Sequence, residues 1–143
     1  MDYTFRQGVD WAQTAIDRLK ASGEPMRIIH GDLHQWNVRY ARGVLSPIDF
    51  EDLMWGWPVQ DIATTLYYSQ DEPNYPELRA AFEQGYRRVS AWPERFAGEV
   101  DAFIAARGLG MVNFVLQNND LMGFDLPAFV ERAESRLRRL MRL

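Results

Sequence analysis

The stretch MRIIHGDLHQWNVRYARGVLSPIDFEDLMWGWPVQDIA, residues 26–63, contains the pattern that predicts the fold. Its middle part, residues 38–48, has two short runs of strand-forming side chains on either side of a turn at residues 41–43. Strand-forming residues that flank a turn containing glycine predict a β-hairpin. Because a hairpin returns the chain to its starting point, we expect polar residues on its two sides to lie close together.

Three such polar residues bracket the hairpin, since Asp32 and Asn37 precede it and Asp49 follows it. All three side chains carry oxygen, the ligand atom that a hard cation such as Mg²⁺ requires. A carboxylate that binds no metal could instead accept the proton of a substrate hydroxyl group. Metal ligands and an acceptor for that proton are the parts that metal-assisted phosphoryl transfer needs.

The spacing of these residues is similar to that of kinases. HGDLHQWN at residues 30–37 fits the catalytic-loop pattern H-x-D-L-x-x-x-N, and DFE at residues 49–51 stands where the metal-binding D-F-G would stand. With DIA at residues 61–63, the pattern resembles the aminoglycoside phosphotransferase and choline kinase family. The resemblance implies a protein-kinase-like fold and ATP-dependent phosphorylation of a small molecule.

Roles for individual residues follow from the resemblance. It implies that Asp32 is the catalytic base and that Asn37 and Asp49 hold Mg²⁺ under the phosphates of ATP or another nucleoside triphosphate. It also implies that His30 braces the catalytic loop and that Asp61 caps the loop backbone from the following helix. No residue of the chain is assigned to the nucleotide base.

Three further polar residues are candidates for the rim of the site. His34 faces either the substrate cleft or the solvent, and Glu51 and Asp52 are either solvated loop acids or neighbours of the metal or a cationic substrate. Acidic side chains at a binding site attract cations. We therefore expect a small hydroxyl-bearing acceptor, with cationic acceptors favoured.

The kinase pattern lacks the parts that would cover a nucleotide. Only 29 residues precede His30, the single lysine is Lys20, and the only G-x-G, at residues 108–110, lies between predicted helices. We therefore expect the chain to be the C-terminal lobe of a longer kinase, with the N-terminal lobe supplied in cis or in trans. Alone, it should transfer little or no phosphate, and its uncovered surface favours a partner lobe or a homodimer.

The expected fold class is mainly α with a small β-hairpin, in one domain over residues 1–143. The expected parts are a leading helix within residues 1–25, the catalytic loop, hairpin and metal loop at residues 26–58, and a helical subdomain at residues 59–143. Each helix is predicted from apolar residues that recur every three or four positions.

Details of the helices follow from the same spacing. The first helix, residues 5–21, is expected to bury one apolar stripe, which consists of Phe5, Val9, Ala12, Ile16 and Leu19. Residues 108–110 are expected to break the helical region, and residues 50–58 are expected to form a loop. Asp125 is predicted to cap the last helix.

Two other functions are compatible with parts of the pattern. A non-catalytic binding or regulatory module could keep the shape of a kinase lobe, although it need not keep Asp32, Asn37 and Asp49 together. The GDLH at residues 31–34 is similar to the first motif of metallophosphoesterases, but that family needs further histidines and none follows His34.

Composition excludes several classes of protein. Apolar residues form 47% of the 143-residue chain and charged residues 25%, which is typical of a globular domain and not of a disordered one. The net charge of −4 argues against a nucleic-acid partner, and the absence of cysteine excludes thiolate sites and disulfides. No membrane-spanning run or secretory signal is evident, so we expect a cytoplasmic protein.

Overall fold

The computed structural model describes residues 3–142, and it is mainly helical with two small antiparallel sheets. This architecture confirms that the chain is mainly α with a small β-hairpin, and it adds a second small sheet that was not predicted. In chain order the elements are α1 (Tyr3–Ala21), β1 (Arg27–Ile29), a short 3-10 helix (Gln35–Asn37), β2 (Val38–Ala41), β3 (Val44–Pro47), β4 (Met54–Gly56), α2 (Pro58–Tyr67), α3 (Tyr75–Arg87), α4 (Glu99–Met122) and α5 (Leu126–Met141).

The chain separates into two compact units. One is Glu24–Val100, and the other consists of the described residues of Met1–Gly23 and Asp101–Leu143. The first unit therefore contains every residue that the sequence assigns to the candidate site. The organisation as one domain over residues 1–143 stays a prediction.

The predicted hairpin is confirmed as the pair β2–β3, with Val38 opposite Pro47 and Ala41 opposite Val44. Arg42 and Gly43, which link the strands, both have positive φ angles, of 52° and 81°. Two successive residues with positive φ match the right-handed twist of a two-residue hairpin. The turn therefore fixes the register that brings the two ends of the hairpin together.

The loop expected at residues 50–58 is partly wrong, because it contains the strand β4. This strand pairs antiparallel with β1, and Ile28 lies opposite Trp55. A strand of three residues is too short to show the alternation on which sequence prediction depends. The pairing places Arg27, at the start of β1, opposite Gly56 just before α2, and Ile29, at the end of β1, opposite Met54.

The buried face of α1 differs from the predicted stripe. Val9 is 45% exposed, and Gly8 is buried against α5 instead. A Cβ atom on Gly8 would lie 2.6 Å from Cδ2 of Leu137, so the two helices approach closely at this glycine. The residues that α1 buries are mostly small: Thr4, Gly8, Ala12, Ala15 and Leu19.

The break expected at residues 108–110 is also wrong, because α4 continues through it from Glu99 to Met122. Glycine in a helix costs about 0.5–1 kcal/mol relative to alanine, which neighbouring residues can offset. The predicted cap of α5 is confirmed, since the Asp125 side chain accepts a hydrogen bond from the backbone N–H of Ala128 at 3.2 Å.

The buried face of α2 agrees with the sequence. Val59, Ile62, Ala63 and Leu66 are all buried, and the helix contacts β1. Its opposite, polar positions are therefore available to the loop that follows β1. Within residues 3–142, no helix combines the length and the apolar character that crossing a bilayer requires.

The close approach at Gly8 leads to a stability prediction. Gly8→Leu should lower the free energy of unfolding by about 1–3 kcal/mol, because the added side chain must displace Leu137. Leucine is a good helix former, so the loss would not reflect helix propensity. Urea denaturation followed by circular dichroism measures the change.

The matched control is Gly110→Ala in α4, where an added Cβ would meet nothing within 4 Å. It should raise the free energy of unfolding by about 0.5–1 kcal/mol if the helix is continuous. A Gly8→Leu variant as stable as the original chain would contradict the close packing of α1 on α5.

Candidate functional site

The loop at residues 30–37, which the sequence predicts to be the catalytic loop, begins with two backbone amides that donate hydrogen bonds to the carboxylate of Asp61. Asp61 Oδ2 accepts from the backbone N–H of His30 at 2.8 Å, and Oδ1 accepts from that of Gly31 at 2.9 Å. Bonds between a carboxylate and N–H groups are stronger than those between neutral groups. Asp61 stands in the first turn of α2, so this helix fixes where the loop leaves β1.

The same face of α2 holds the loop at a second point. The Thr65 hydroxyl donates to the backbone carbonyl of Leu33 at 2.5 Å. Thr65 lies four residues after Asp61, and Tyr68 lies three residues further, so the three positions share one face. Thr65 was not predicted from the sequence, although its spacing from Asp61 was the signal that could have found it, whereas Tyr68 was expected at the rim.

His30 joins the catalytic loop to the end of the hairpin. Its side chain is buried, and Nε2 lies 2.9 Å from the backbone carbonyl of Ile48. Because a carbonyl can only accept, Nε2 carries the proton in this bond. The ring also packs against Phe50, with centroids 5.0 Å apart. The segment around Asp49 is therefore tied to the start of the loop.

Asp32 and Asn37 are in direct contact. The Asn37 side-chain nitrogen donates to the Asp32 backbone carbonyl at 3.0 Å and to Asp32 Oδ2 at 3.5 Å. Asn37 is buried, whereas Asp32 is partly exposed. Backbone bonds from His34 to Asp32 and from Asn37 to His34, both of 2.9 Å, shape the turn between them.

Asp49 follows directly on a residue that is bonded to Asn37. The Ile48 N–H donates to the Asn37 carbonyl at 2.9 Å, which extends the hairpin pairing by one step. Asp49 is exposed and has a φ angle of 65°, a left-handed conformation that few residues other than glycine, asparagine and aspartate adopt. Strained backbone of this kind concentrates at functional sites.

Gly31 sets how closely the segment around Asp52 approaches the loop at residues 30–37. Its φ angle is 84°, and a Cβ atom there would lie 2.3 Å from the Asp52 backbone carbonyl oxygen. Only glycine fits this position without displacing the loop. The side chains of Glu51 and Asp52 are exposed, so their assignment to the rim of a site stays a prediction.

His34 is half-buried beside Asp32, with Nε2 3.2 Å from Asp32 Oδ2. The structure therefore brings His34, Asp32 and Asn37 together around one carboxylate. Within the described chain, no three His, Cys, Asp or Glu side chains converge on a point where a metal ion could be held. Any metal at this site would need ligands besides such a cluster.

Residues 2–97 match the phosphotransferase enzyme family, APH. The chain is also 31% identical over 81 residues to amicoumacin kinase of Bacillus subtilis (strain 168). That alignment covers 56% of this chain but 24% of amicoumacin kinase. The chain therefore spans about a quarter of the curated relative that it matches.

Solved structures share the fold at lower sequence identity. A choline/ethanolamine kinase family protein from Mesorhizobium loti matches 100% of this chain and 48% of its own, with a TM-score of 0.77 and 21% identity. The amicoumacin kinase hAmiN, in complex with AMP-PNP, Ca²⁺ and Ami, matches 97% of this chain and 46% of its own, with a TM-score of 0.72 and 20% identity. The fold is thus kinase-like, and the chain spans less than half of either structure.

The hydrogen bonds from the His30 and Gly31 amides to Asp61 lead to a prediction. Asp61→Asn should lower the free energy of unfolding by about 1–3 kcal/mol, because asparagine has one acceptor oxygen for two part-buried backbone donors. Amide hydrogen exchange at His30 and Gly31 should become faster. Urea denaturation and exchange followed by NMR measure the two effects.

A matched control is Glu72→Gln, which makes the same chemical change on an exposed residue of the turn before α3. Its effect on stability should stay within about 0.5 kcal/mol. Unchanged exchange at His30 and Gly31 in the Asp61→Asn variant would show that Asp61 does not hold the loop.

Proposed function

The chain belongs to the phosphotransferase enzyme family, and from this premise we propose that it supplies the acceptor side of an ATP- and Mg²⁺-dependent phosphoryl transfer to a hydroxyl group of a small molecule. The observation that carries the proposal is the contact between Asp32 and Asn37 in a loop that Asp61 anchors. Phosphoryl transfer depends mainly on positioning, and this loop is held at several points.

Asp32 is the proposed general base. Its partly exposed carboxylate can reach a substrate, and its backbone carbonyl is fixed by the Asn37 amide at 3.0 Å. A carboxylate in hydrogen-bond reach of an acceptor hydroxyl can take the proton as the oxygen attacks phosphorus. His30 and Asp61 act on this step only through the backbone of the loop.

Asn37 and Asp49 are the proposed ligands of Mg²⁺. Because the Asn37 nitrogen is directed at Asp32, its side-chain oxygen is the atom that would bind a metal. One carboxylate and one amide oxygen fit Mg²⁺, which commonly takes few protein ligands and completes its shell with water and phosphate oxygens. When bound, the ion would neutralise charge on the transferring phosphate.

The nucleotide-binding part of the enzyme is proposed to lie outside this chain, in cis or in trans. Similar structures are about twice as long as the part that the chain matches. Residues 26–55 also expose many large apolar side chains, which is typical of a surface that binds a partner. These are Met26, Ile28, Trp36, Tyr40, Val44, Leu45, Phe50, Leu53, Met54 and Trp55.

The acceptor is proposed to be a small hydroxyl-bearing molecule. One similar structure contains AMP-PNP and Ami, and a second, of aminoglycoside phosphotransferase APH(4)-Ia, contains AMP-PNP and hygromycin B. In this chain, Glu51 and Asp52 expose carboxylates next to Asp49. Their negative charge favours a cationic acceptor.

The role of Asp32 is tested by its amide variant in the native polypeptide that carries this chain. Asp32→Asn should lower the rate of phosphate transfer by about 10²–10⁴-fold, because asparagine cannot accept the hydroxyl proton. Transfer from radiolabelled ATP, with hygromycin B and choline as first acceptors, measures the rate. A variant that keeps the full rate would exclude Asp32 as the base, and Glu72→Gln is the control.

The metal ligands are tested without any need for catalysis. Mn²⁺, a paramagnetic substitute for Mg²⁺, should broaden the NMR signals of the Asn37 and Ile48 amides in the 143-residue chain. Asp49→Asn should remove most of this broadening, because the site loses its carboxylate. Broadening that persists unchanged in Asp49→Asn, with Glu72→Gln behaving as the original chain does, would place the metal elsewhere.

A further inference from the structure

We propose that His34 is a positioning residue, which fixes the orientation of the Asp32 carboxylate by donating a hydrogen bond from Nε2–H to Oδ2. This inference rests on the proposed function of Asp32 as the base. Neither the kinase pattern H-x-D-L-x-x-x-N nor the metal ligands include His34. Its assignment comes from the contacts of its ring.

Two donors converge on one oxygen of Asp32. His34 Nε2 lies 3.2 Å from Asp32 Oδ2, and the Asn37 side-chain nitrogen donates to the same atom at 3.5 Å. A carboxylate turns about its terminal torsion easily, because that torsion has a broad energy profile. Donors from two directions on one oxygen restrict this rotation, so the pair sets the plane of the carboxylate.

Two aromatic side chains hold the His34 ring in place. The ring meets Tyr68 at a centroid distance of 4.9 Å and Trp36 at 5.3 Å, and both contacts are close to edge-on, with interplanar angles of 71° and 70°. Trp36 and Tyr68 also contact each other at 5.5 Å. Edge-to-face contacts of this kind stabilise one ring orientation. The imidazole therefore presents Nε2 to Asp32 from a fixed position.

The burial of the other ring nitrogen selects between the two tautomers of the imidazole. Nδ1 of His34 is buried and has no hydrogen-bond partner among the described residues. A proton on Nδ1 would leave a buried donor without a hydrogen-bond partner, which is unfavourable. A proton on Nε2, in contrast, points at the carboxylate oxygen. Of the two neutral tautomers, the geometry thus favours the one with its proton on Nε2.

The position of Tyr68 connects this contact to the rest of the loop. Three residues of α2 and its end contact successive points of the loop. Asp61 binds the amides of His30 and Gly31, Thr65 binds the carbonyl of Leu33, and Tyr68 packs against the ring of His34. One face of α2 therefore determines the position of the loop, and His34 extends that control to the carboxylate. Misplacing a reacting group by about 1 Å can cost about 10²-fold in rate.

The first test uses the original 143-residue chain and needs no substitution. NMR of its imidazole nitrogens, recorded at a pH where His34 is neutral, should show its proton on Nε2 and none on Nδ1. Since His30 is the only other histidine, two sets of signals are expected. A His34 that carries its proton on Nδ1 would overturn the proposal, whatever the chain catalyses.

The second test compares two variants that place an amide donor differently. The Gln side-chain nitrogen can take the place of Nε2, whereas the shorter Asn side chain reaches only the place of Nδ1. His34→Gln should therefore leave the side-chain NMR signals of Asn37 near their original positions, and His34→Asn should shift them. Equal shifts in both variants would overturn the proposal, because a residue with a merely structural role gives no such difference.

Kinetics of the native polypeptide separate this inference from the proposed function. His34→Asn should lower kcat about tenfold to hundredfold with little change in KM, and His34→Gln should recover most of the loss. If Asp32→Asn has no effect on transfer while the NMR results hold, the proposed function fails but the contact stands. If Asp32→Asn abolishes transfer and both His34 variants keep full kcat, the positioning role fails alone.

Discussion

The carboxylate of Asp61 and the two backbone amides that it holds are the contact on which the candidate site depends. His30 and Gly31 follow the paired residues of β1, so no neighbouring strand accepts a hydrogen bond from their backbone amides. A backbone N–H that is shielded from water and has no acceptor is costly. By accepting both, Asp61 fixes the first two residues of the catalytic loop relative to a rigid helix. The positions of the loop residues that follow depend on where His30 and Gly31 lie.

The rest of the site follows from the periodicity of α2. The apolar face of this helix lies in the core, so its polar positions recur along the opposite side, at Asp61, Thr65 and Tyr68. A loop that contacts this face in order acquires a defined shape without secondary structure of its own. Functional residues on loops need such a scaffold, because a loop held only at its ends would not place a carboxylate accurately.

The sequence predicted those parts of the fold that strong local patterns determine. The hairpin at residues 38–48 and the buried stripe of α2 depend on neighbours in sequence, and both are confirmed. The exposure of Val9 and the burial of Gly8 could not be predicted, because they depend on how closely α5 approaches α1. At the site, the spacing in the sequence predicted that Asp32 and Asn37 lie close together. The contact between His34 and Asp32 could not be predicted, because it depends on how the loop folds.

We propose that the loop held by Asp61 takes part in phosphoryl transfer, with the nucleotide bound by residues outside these 143. The most direct test measures transfer from radiolabelled ATP in parallel for the 143-residue chain and for the native polypeptide, isolated by antibody from the cells that make it. This proposed arrangement predicts transfer by the native polypeptide and little or none by the chain alone. A native polypeptide that neither binds ATP nor transfers phosphate would contradict it, and would favour a binding module with the shape of a kinase lobe.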